Sequence, residues 1–521
     1  MTGPGHAEVA PILAWLRANA PALSARSHAD LQLDSRRVMA GDIFVAVPSV
    51  VAGGDDGRRY LREAQTRGAA AALVEAEHFG GADAGLPILP VRDLRRVLGP
   101  LAARYYGQPS EAMQVVGVTG TNGKTSTAFW IAQMLSRAGT RCAVLGTVGS
   151  GFPGETLADA ALTTPDAIAL QREVLRLRDA GARALAMEVS SIGLDQGRVD
   201  GMHFDVAVFT NLTRDHLDYH GTMPAYEAAK VRLFDWPTLT AAVLNLDDAA
   251  GRRLAGRLAG RVRSGALRVA GFTTAPGEVD AASAAAITQL ISARDIRATA
   301  TGLEFTLQCG HAEHKIELGL VGSFNVSNLM AAVGAALACG IDLDLACRAA
   351  PQLVPPPGRM QRVRTRSGDE PLVVVDYAHT ADAIEQALLA LRPQAAARGG
   401  RLWIVFGAGG ERDPGKRAPM GAAAGSHADR LVITSDNPRR EDPAAIVADV
   451  AAGVRSRSNV DVIVDRAQAI AHALSAADAR DIVLIAGKGH EASQDIGGVK
   501  RPFSDAEQAR AALGARAGVT C

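Results

Sequence analysis

The chain has 521 residues, 48% of them hydrophobic and 21% charged, and its 55 Lys+Arg balance 55 Asp+Glu to a formal net charge of zero. That length exceeds one ordinary domain, and the composition is that of a globular enzyme, which excludes a disordered, collagenous or disulfide-dense chain. A neutral total excludes a long-range field that gathers nucleic acid or an anionic membrane surface, so anionic ligands must be held by local positive charge.

In chain order, residues 1–112 hold short mixed elements: a strand at 43–47, a helix at about 59–67 and the apolar run 69–74. Tyr105-Tyr106-Gly107-Gln108-Pro109-Ser110 is punctuated by Gly and Pro and reads as a linker. From Met113 onward, apolar runs at 115–118, 143–145, 184–189 and 206–209 alternate with amphipathic stretches at 124–138 and 166–180. This alternation predicts a parallel sheet with right-handed crossovers, closed by a long helix over 322–339. Pro355-Pro356-Pro357-Gly358 cannot continue that helix and marks a second boundary. Beyond it, strands at 372–375, 402–406, 431–434 and 482–486 with helices between them repeat the βα logic as a dinucleotide-binding-like domain. Its Gly407-Ala408-Gly409-Gly410 turn is only a weak nucleotide signal, because such turns are common. The expected organisation is α/β with three domains, at 1–112, 113–355 and 356–521.

Five scattered cysteines (Cys142, Cys309, Cys339, Cys347 and Cys521) form no CxxC pair, which argues against a disulfide framework or a structural zinc and fits a reducing cytosol. His6, Glu8, Arg17 and Asp30 interrupt the N-terminal stretch, and no run of about 18 apolar residues occurs. A cytoplasmic enzyme with no signal peptide or spanning helix is expected.

The sharpest local signal is Gly117-Val118-Thr119-Gly120-Thr121-Asn122-Gly123-Lys124-Thr125-Ser126, placed between a predicted strand and a predicted helix. Glycines let backbone N–H groups turn toward phosphate oxygens, and the helix N-terminus adds a favourable dipole. In that setting Lys124 bridges phosphate oxygens and the Thr125 hydroxyl joins a Mg²⁺ shell. Val118 stands where the generic pattern has glycine, with Gly117 and Gly120 beside it. The loop implies ATP or GTP and does not separate motors, switches, kinases and ligases. Glu188 ends the apolar run that starts at Ala184, where a carboxylate faces the ligand crevice of a parallel sheet and suits Mg²⁺. The polar loop Thr210-Asn211-Leu212-Thr213-Arg214-Asp215-His216-Leu217-Asp218-Tyr219-His220 occupies the next strand end, and in this company His216 reads as a ligand. Lys230, in Ala228-Ala229-Lys230, reads by default as a solvated helix lysine.

Further segments stand in a fixed order along the chain: Leu33-Asp34-Ser35-Arg36, the phosphate loop, Thr163-Thr164-Pro165, Met187-Glu188-Val189-Ser190-Ser191 and 211–221. They continue with Gly322-Ser323-Phe324-Asn325, Pro357-Gly358-Arg359-Met360 and Asp376-Tyr377-Ala378-His379-Thr380. Asp436-Asn437-Pro438-Arg439 and Gly487-Lys488-Gly489-His490-Glu491 complete the series. Together they resemble the Mur ligase family over nearly the whole chain, and within it the branch that adds diaminopimelate.

The resemblance implies a UDP-binding N-terminal domain, a central P-loop ATPase domain and a C-terminal domain that delivers the amino acid. It implies Leu33 and Ser35 at the uridine end, and Thr163, Thr164, Ser190, Gln196 and Arg198 around the muramoyl-dipeptide. Gly120, Thr121, Asn122, Gly123, Lys124, Thr125 and Ser126, with Asn325, Asp376 and His379, would contact ATP. Thr125, Glu188 and His216 would serve Mg²⁺, and Lys230 matches the family lysine that is carbamylated into an anionic metal ligand. Lys124, Glu188, His216 and Lys230 form the implied catalytic set.

Arg412, Asp436, Asn437, Pro438, Arg439, Gly487 and Glu491 would bind diaminopimelate. That substrate carries a second amino-carboxylate centre that lysine lacks; Arg439 suits its carboxylate as a bidentate clamp, and Glu491 suits its ammonium. Two places depart from the family: Ile192 stands where it often has His after the Ser-Ser pair, and residues 48–56 do not register against its uridine-site loop.

The implied reaction is ATP-dependent ligation of meso-2,6-diaminopimelate to the γ-carboxylate of D-Glu in UDP-N-acetylmuramoyl-L-Ala-D-Glu. It would run through an acyl phosphate in peptidoglycan precursor synthesis, in a cytoplasmic monomer that uses Mg²⁺ and binds neither nucleic acid nor membrane. A lysine-adding sister ligase, or a nucleotide-dependent switch without ligase chemistry, is the alternative.

Overall fold

The computed structural model describes residues 6–20, 29–48, 55–81, 84–160, 162–365, 370–456 and 458–516. Most of the unregistered 48–56 segment, and Cys521, lie outside them. The chain divides into two compact units, one made of Met1–Lys124, Gly139–Val243 and Arg257–Val269, the other of Thr125–Ala138, Leu244–Gly256 and Ala270–Cys521.

The first unit begins with a four-stranded parallel sheet in the order Leu31–Gln32, Ile43–Ala46, Ala71–Glu75 and Ile88–Val91. Its central strands are apolar on both sides because both faces are covered. Ile43, Val45 and Leu73 face one cluster, and Phe44, Ala46, Ala72 and Val74 face another. Two helices that the sequence pattern does not announce, His6–Asn19 and Leu94–Tyr105, contribute to the first cluster. Each carries an internal proline, Pro11 or Pro100, which masks its periodicity. Glu75 closes the sheet onto the second helix by accepting from the N–H groups of Asp93 at 3.2 Å and Leu94 at 2.8 Å.

The expected linker at 105–110 is in fact anchored. Tyr105 ends the helix and its hydroxyl donates to the Ala29 carbonyl at 2.8 Å, while the Tyr106 hydroxyl donates to Asp30. Arg172 meets Asp30 at 3.0 Å and donates to the Leu31 carbonyl at 2.9 Å. Punctuation by Gly and Pro is visible in sequence, but the tyrosine hydroxyl partners are 76 residues away.

The alternating apolar runs after Met113 form the expected strands. Val206–Phe209, Gln114–Thr119, Ala184–Glu188 and Cys142–Gly146 lie in that order and pair in parallel, and the antiparallel Gly149–Gly151 ends the row. Parallel pairing puts Gly120, Thr147, Glu188 and Thr210 at the same, C-terminal, edge of this sheet.

Strand Arg268–Thr273, in the second unit from Ala270 on, pairs in parallel with Gln289–Thr299, followed by antiparallel Gly302–Cys309 and Ala312–Leu318. The parallel-sheet expectation omitted this meander, although Leu303, Phe305, Leu307 and Cys309 alternate with Glu304, Thr306 and Gln308 at strand period. Helix Lys124–Arg137 carries Trp130 and Gln133, whose side chains hold the Val354 carbonyl at 2.9 Å each and fix the chain before the Pro355 boundary.

The six-stranded sheet runs Gln361–Val363, Leu372–Asp376, Ile482–Ala486, Leu402–Phe406, Arg430–Ile433 and Val460–Val462, parallel except for the first strand. Alternate residues feed two cores, Val374, Ile404 and Leu484 on one face and Val375, Val405 and Ile485 on the other. Among the described residues no helix is long and apolar enough to cross a membrane.

Gly99, inside helix Leu94–Tyr105, approaches the Asp200 turn so closely that a Cβ would lie 2.0 Å from the Asp200 carbonyl oxygen. Gly260, inside helix Ala249–Arg263, has nothing within 4 Å of its Cβ position. Gly99→Ala is expected to cost about 1–3 kcal/mol through overpacking, whereas Gly260→Ala is expected to add about 0.5–1 kcal/mol through helix propensity. Denaturant unfolding followed by circular dichroism measures both, and shifts of the same sign would contradict the packing described.

Candidate active site

The phosphate loop starts where the strand Gln114–Thr119 ends, and helix Lys124–Arg137 starts at its lysine, with Thr125 and Ser126 in the first turn. Gly120 (φ 147°) and Gly123 (φ 82°) take backbone angles that side chains disfavour. At Gly120 a Cβ would sit 1.9 Å from Thr210 Oγ1, so the position excludes alanine on contact as well. The loop is stitched to the polar segment after Val206–Phe209. Thr210 Oγ1 donates to the Asn122 carbonyl at 2.6 Å, Asn211 Oδ1 accepts from Asn122 N at 2.9 Å, and Thr121 Oγ1 accepts from Thr213 N at 3.0 Å. Lys124 folds back, its Nζ donating to the carbonyls of Gly120 at 2.9 Å and Thr121 at 2.7 Å.

Lys230 corrects the default expectation of a solvated lysine. It is 1% exposed, its Nζ donates to the Gly120 carbonyl at 2.7 Å and lies 4.4 Å from the Tyr226 ring centroid. Burial, reinforced by the charge of Lys124, lowers its pKa to about 6, with Asp215 opposing weakly. The residue therefore holds a neutral, nucleophilic amine near pH 7. Tyr226 completes this corner, its hydroxyl 3.1 Å from Thr121 Oγ1 and its ring 6.0 Å from that of His216. His216 itself is 45% exposed, has φ 50° and lies 3.5 Å from Asp215.

Glu188 is buried at its strand end. Its Oε1 accepts from Thr147 N at 2.7 Å and its Oε2 from Thr147 Oγ1 at 3.2 Å. From there a continuous network joins the residues expected around the muramoyl-dipeptide. Thr163 Oγ1 lies 3.0 Å from Thr147 Oγ1, Thr164 Oγ1 donates to the Glu188 carbonyl at 3.0 Å, and Ser190 N donates to Thr164 Oγ1 at 3.0 Å. Arg198 holds the Thr164 carbonyl at 3.0 Å and Gln196 Oε1 at 2.6 Å, and its burial lowers its pKa. Leu33 and Ser35 stand apart from this network: Leu33 packs on the N-terminal core and Ser35 Oγ donates to Glu63 at 3.0 Å.

In the second unit the expected diaminopimelate residues do converge, because they follow the C-terminal ends of neighbouring parallel strands. Asn437 Nδ2 donates to Glu491 Oε2 at 2.8 Å, and Lys488 Nζ donates to both Asn437 Oδ1 at 3.0 Å and Glu491 Oε2 at 2.7 Å. Burial alone would raise the Glu491 pKa, but the Lys488 hydrogen bond and charge outweigh it, so the group is held ionised. Asp436 is buried, which raises its pKa; its Oδ1 caps Asn437 N at 2.7 Å and its Oδ2 has no hydrogen-bond partner.

Arg439 (φ 54°) donates through its guanidinium to the Gly410 carbonyl, and a Cβ on Gly409 would fall between Arg439 and Arg412. A Cβ on Gly410 would lie 2.0 Å from the Pro438 carbonyl. The glycine-rich turn thus packs against the Asp436–Arg439 backbone, which explains its composition without a dinucleotide.

Asn325, Asp376 and His379, expected at ATP, have internal partners here. Asn325 Nδ2 donates to the Val321 carbonyl at 2.7 Å, Asp376 accepts from the N–H groups of Met360 at 2.8 Å and Ala378 at 2.9 Å, and His379 Nδ1 lies 2.8 Å from the Tyr377 carbonyl. Sequence reasoning missed Thr147, Tyr226, His220 and Lys488. His220 Nε2 lies 3.0 Å from Ser191 Oγ, so the imidazole beside the Ser-Ser pair comes from the polar loop, and Ile192 stays apolar. Its place in the polar loop was the available signal for His220; for Thr147 there was none.

Comparison with known proteins agrees with this geometry. Residues 118–336 match the Mur ligase middle domain, and residues 358–489 match the Mur ligase glutamate ligase domain. The UDP-N-acetylmuramoyl-L-alanyl-D-glutamate–2,6-diaminopimelate ligase of Ralstonia nicotianae is 49% identical over 98% of this chain and 97% of its own. The ligase of the same name from Pseudomonas aeruginosa is 48% identical over 93% and 95% of the two chains. A solved structure of a ligase with that name superposes with a TM-score of 0.67 at 37% identity, covering 95% of this chain and 96% of that one. With two near-complete relatives and two matched domains, the chain belongs to the Mur ligase family.

Proposed function

We propose that this chain joins meso-2,6-diaminopimelate to the γ-carboxylate of D-Glu in UDP-N-acetylmuramoyl-L-Ala-D-Glu at the expense of ATP, in peptidoglycan precursor synthesis. The observation that carries the choice of amino acid is the cluster of Asn437, Lys488 and Glu491 beside Arg439 and Arg412. It offers an ionised carboxylate to an ammonium and two guanidinium groups to a carboxylate, the pair of charges on the distal centre of diaminopimelate. A lysine substrate would leave the guanidinium groups without a carboxylate. The near-complete relatives with that activity in their names support the same assignment.

A carboxylate is a poor electrophile, so activation precedes amide formation. A γ-carboxylate oxygen of D-Glu attacks the γ-phosphorus of ATP and ADP leaves. An amino group of diaminopimelate then adds to the acyl-phosphate carbon, and the adduct expels phosphate as the nitrogen loses its proton. Lys124 leaves its resting carbonyl partners to meet the phosphoryl oxygens. Thr163, Thr164, Ser190, Gln196 and Arg198 hold the muramoyl-dipeptide, Leu33 and Ser35 its uridine end, and Asn325, Asp376 and His379 contribute to ATP.

Among the described residues no three His, Cys, Asp or Glu side chains form a metal cage. The donor set instead gains a second carboxylate when the neutral Lys230 amine adds to CO2 and loses a proton. Thr125, Glu188, His216 and that carbamate would hold Mg²⁺, which when bound would screen the phosphate charge. The division into a UDP-binding domain (1–112), an ATPase domain (113–355) and an amino-acid domain (356–521), and a monomeric cytoplasmic enzyme, belong to the same proposal.

Phosphate release from ATP and Mg²⁺ with the UDP-muramoyl-dipeptide is expected with diaminopimelate and not with L-lysine. Arg439→Ala is expected to lose about 30–100-fold in kcat/KM toward diaminopimelate, the worth of a charge-assisted bidentate pair, with the KM for ATP unchanged. Equal release with both amino acids would discard the clamp, and release without any amino acid would discard the ligase.

Lys230 gives a second test. An unfolded lysine titrates near 10.5 and the folded one near 6, so between these values the unfolded chain binds the extra proton and stability rises with pH. In bicarbonate-free buffer Lys230→Met is therefore expected to be more stable than the parent near pH 7. That advantage shrinks toward pH 10 by up to about 1.4 kcal/mol per pH unit. Unfolding midpoints across pH read it, and added bicarbonate is expected to raise the activity of the parent protein alone.

A further inference from the structure

Arg466 and Asp505 are both 0% exposed and form a bidentate pair, Nε to Oδ1 at 2.7 Å and a terminal nitrogen to Oδ2 at 2.7 Å. They stand outside every residue assigned above to substrate. Burying such a pair costs several kcal/mol per ion, and an apolar pair of the same volume is often as stable or more so. Arg466 also opens helix Arg466–Ala476, where the helix dipole disfavours a cation. Neither core stability nor helix stability accounts for a guanidinium at this place.

Its remaining hydrogen bonds give the account. One terminal nitrogen donates to the Ala486 carbonyl at 2.9 Å, the other to the Ser435 carbonyl at 3.3 Å. These are the residues immediately before Gly487 and Asp436, at the ends of two strands that do not touch: Leu402–Phe406 lies between them in the sheet. A single planar cation thus fixes the spacing of the two segments that carry Asp436, Asn437 and Arg439 on one side and Gly487, Lys488 and Glu491 on the other. The guanidinium fork suits this task, since its N–H groups point in fixed directions and an ammonium has no such geometry. The Asp505 carboxylate holds the fork from behind and starts helix Asp505–Arg516, where a negative charge is favoured. Gln494 reinforces the first segment, donating to the Asp436 carbonyl at 2.7 Å.

We propose that Arg466, held by Asp505, is a positioning residue for the amino-acid substrate, setting the distance between the Asp436–Arg439 and Gly487–Glu491 segments. The inference rests on the assignment of that site to diaminopimelate.

The test measures kinetics and unfolding midpoints of the full chain for Arg466→Lys, Asp505→Asn and the double change Arg466→Met with Asp505→Leu, which keeps apolar volume. The expected result for each is a rise of about tenfold or more in the KM for diaminopimelate. The KM values for ATP and the UDP-muramoyl-dipeptide should stay within about twofold, and the double change should fold with an unfolding midpoint near the parent's. A lowered midpoint with an unchanged diaminopimelate KM would overturn the inference, as would an equal rise in all three KM values or the failure of all three variants to fold. A parent protein that releases phosphate without regard to diaminopimelate would instead overturn the assignment of the site.

Discussion

Two lysines donate to one carbonyl oxygen. Lys124 and Lys230 both reach Gly120 O, at 2.9 and 2.7 Å, in a corner from which water is largely excluded. Two ammonium ions cannot share such a place cheaply, and the more buried one gives up its proton. For Lys230 burial is the larger cause, and the charge of Lys124 adds to it. Together they leave Lys230 a neutral amine near pH 7. Gly120 takes a φ of 147°, which side chains disfavour, and any side chain there would strike Thr210. The polar loop that supplies Thr210, Asn211 and Thr213 fixes the same turn from the other side.

The expected amino-acid site gathers charges of both signs, with Lys488 paired to Glu491 at 2.7 Å. Lys488 keeps Glu491 ionised while Asn437 divides its hydrogen bonds between the two. Arg439 donates to the Gly410 carbonyl. Asp436, buried with one oxygen lacking a hydrogen-bond partner, faces the Gly487 backbone, where a Cβ would lie 2.5 Å from that oxygen. Each of these side chains follows a parallel strand, so one arrangement of hydrogen-bonded strands fixes them all. The same strand order therefore sets the spacing of the strand ends as well as the residues on them.

Much was legible in the residues alone. Short apolar runs at 115–118, 184–189, 206–209 and 482–486 announced buried parallel strands because both faces of such strands are covered, leaving no alternation to hide them. The phosphate loop was legible because glycine, lysine and hydroxyl must stand at fixed offsets along the chain. Helices with internal prolines and the meander over 289–318 were not read, the first because proline breaks the pattern and the second because its alternation is interleaved with charge.

The sequence by itself determined the local chemistry: a glycine-rich turn suited to phosphate, a carboxylate at a strand end, and an Asp-Asn-Pro-Arg segment suited to a carboxylate. Tertiary structure decided the state of each group. Lys230 reads as an ordinary helix lysine until the helix Met223–Val231 is packed with that residue inward, and only then do burial and Lys124 remove its charge. Arg466 and Asp505 are 39 positions apart and carry no motif, yet folding makes them a pair beneath the substrate segments. Chemistry that depends on neighbours along the chain is written in the sequence. Protonation, burial and spacing depend on neighbours across space, and only the packed chain supplies those.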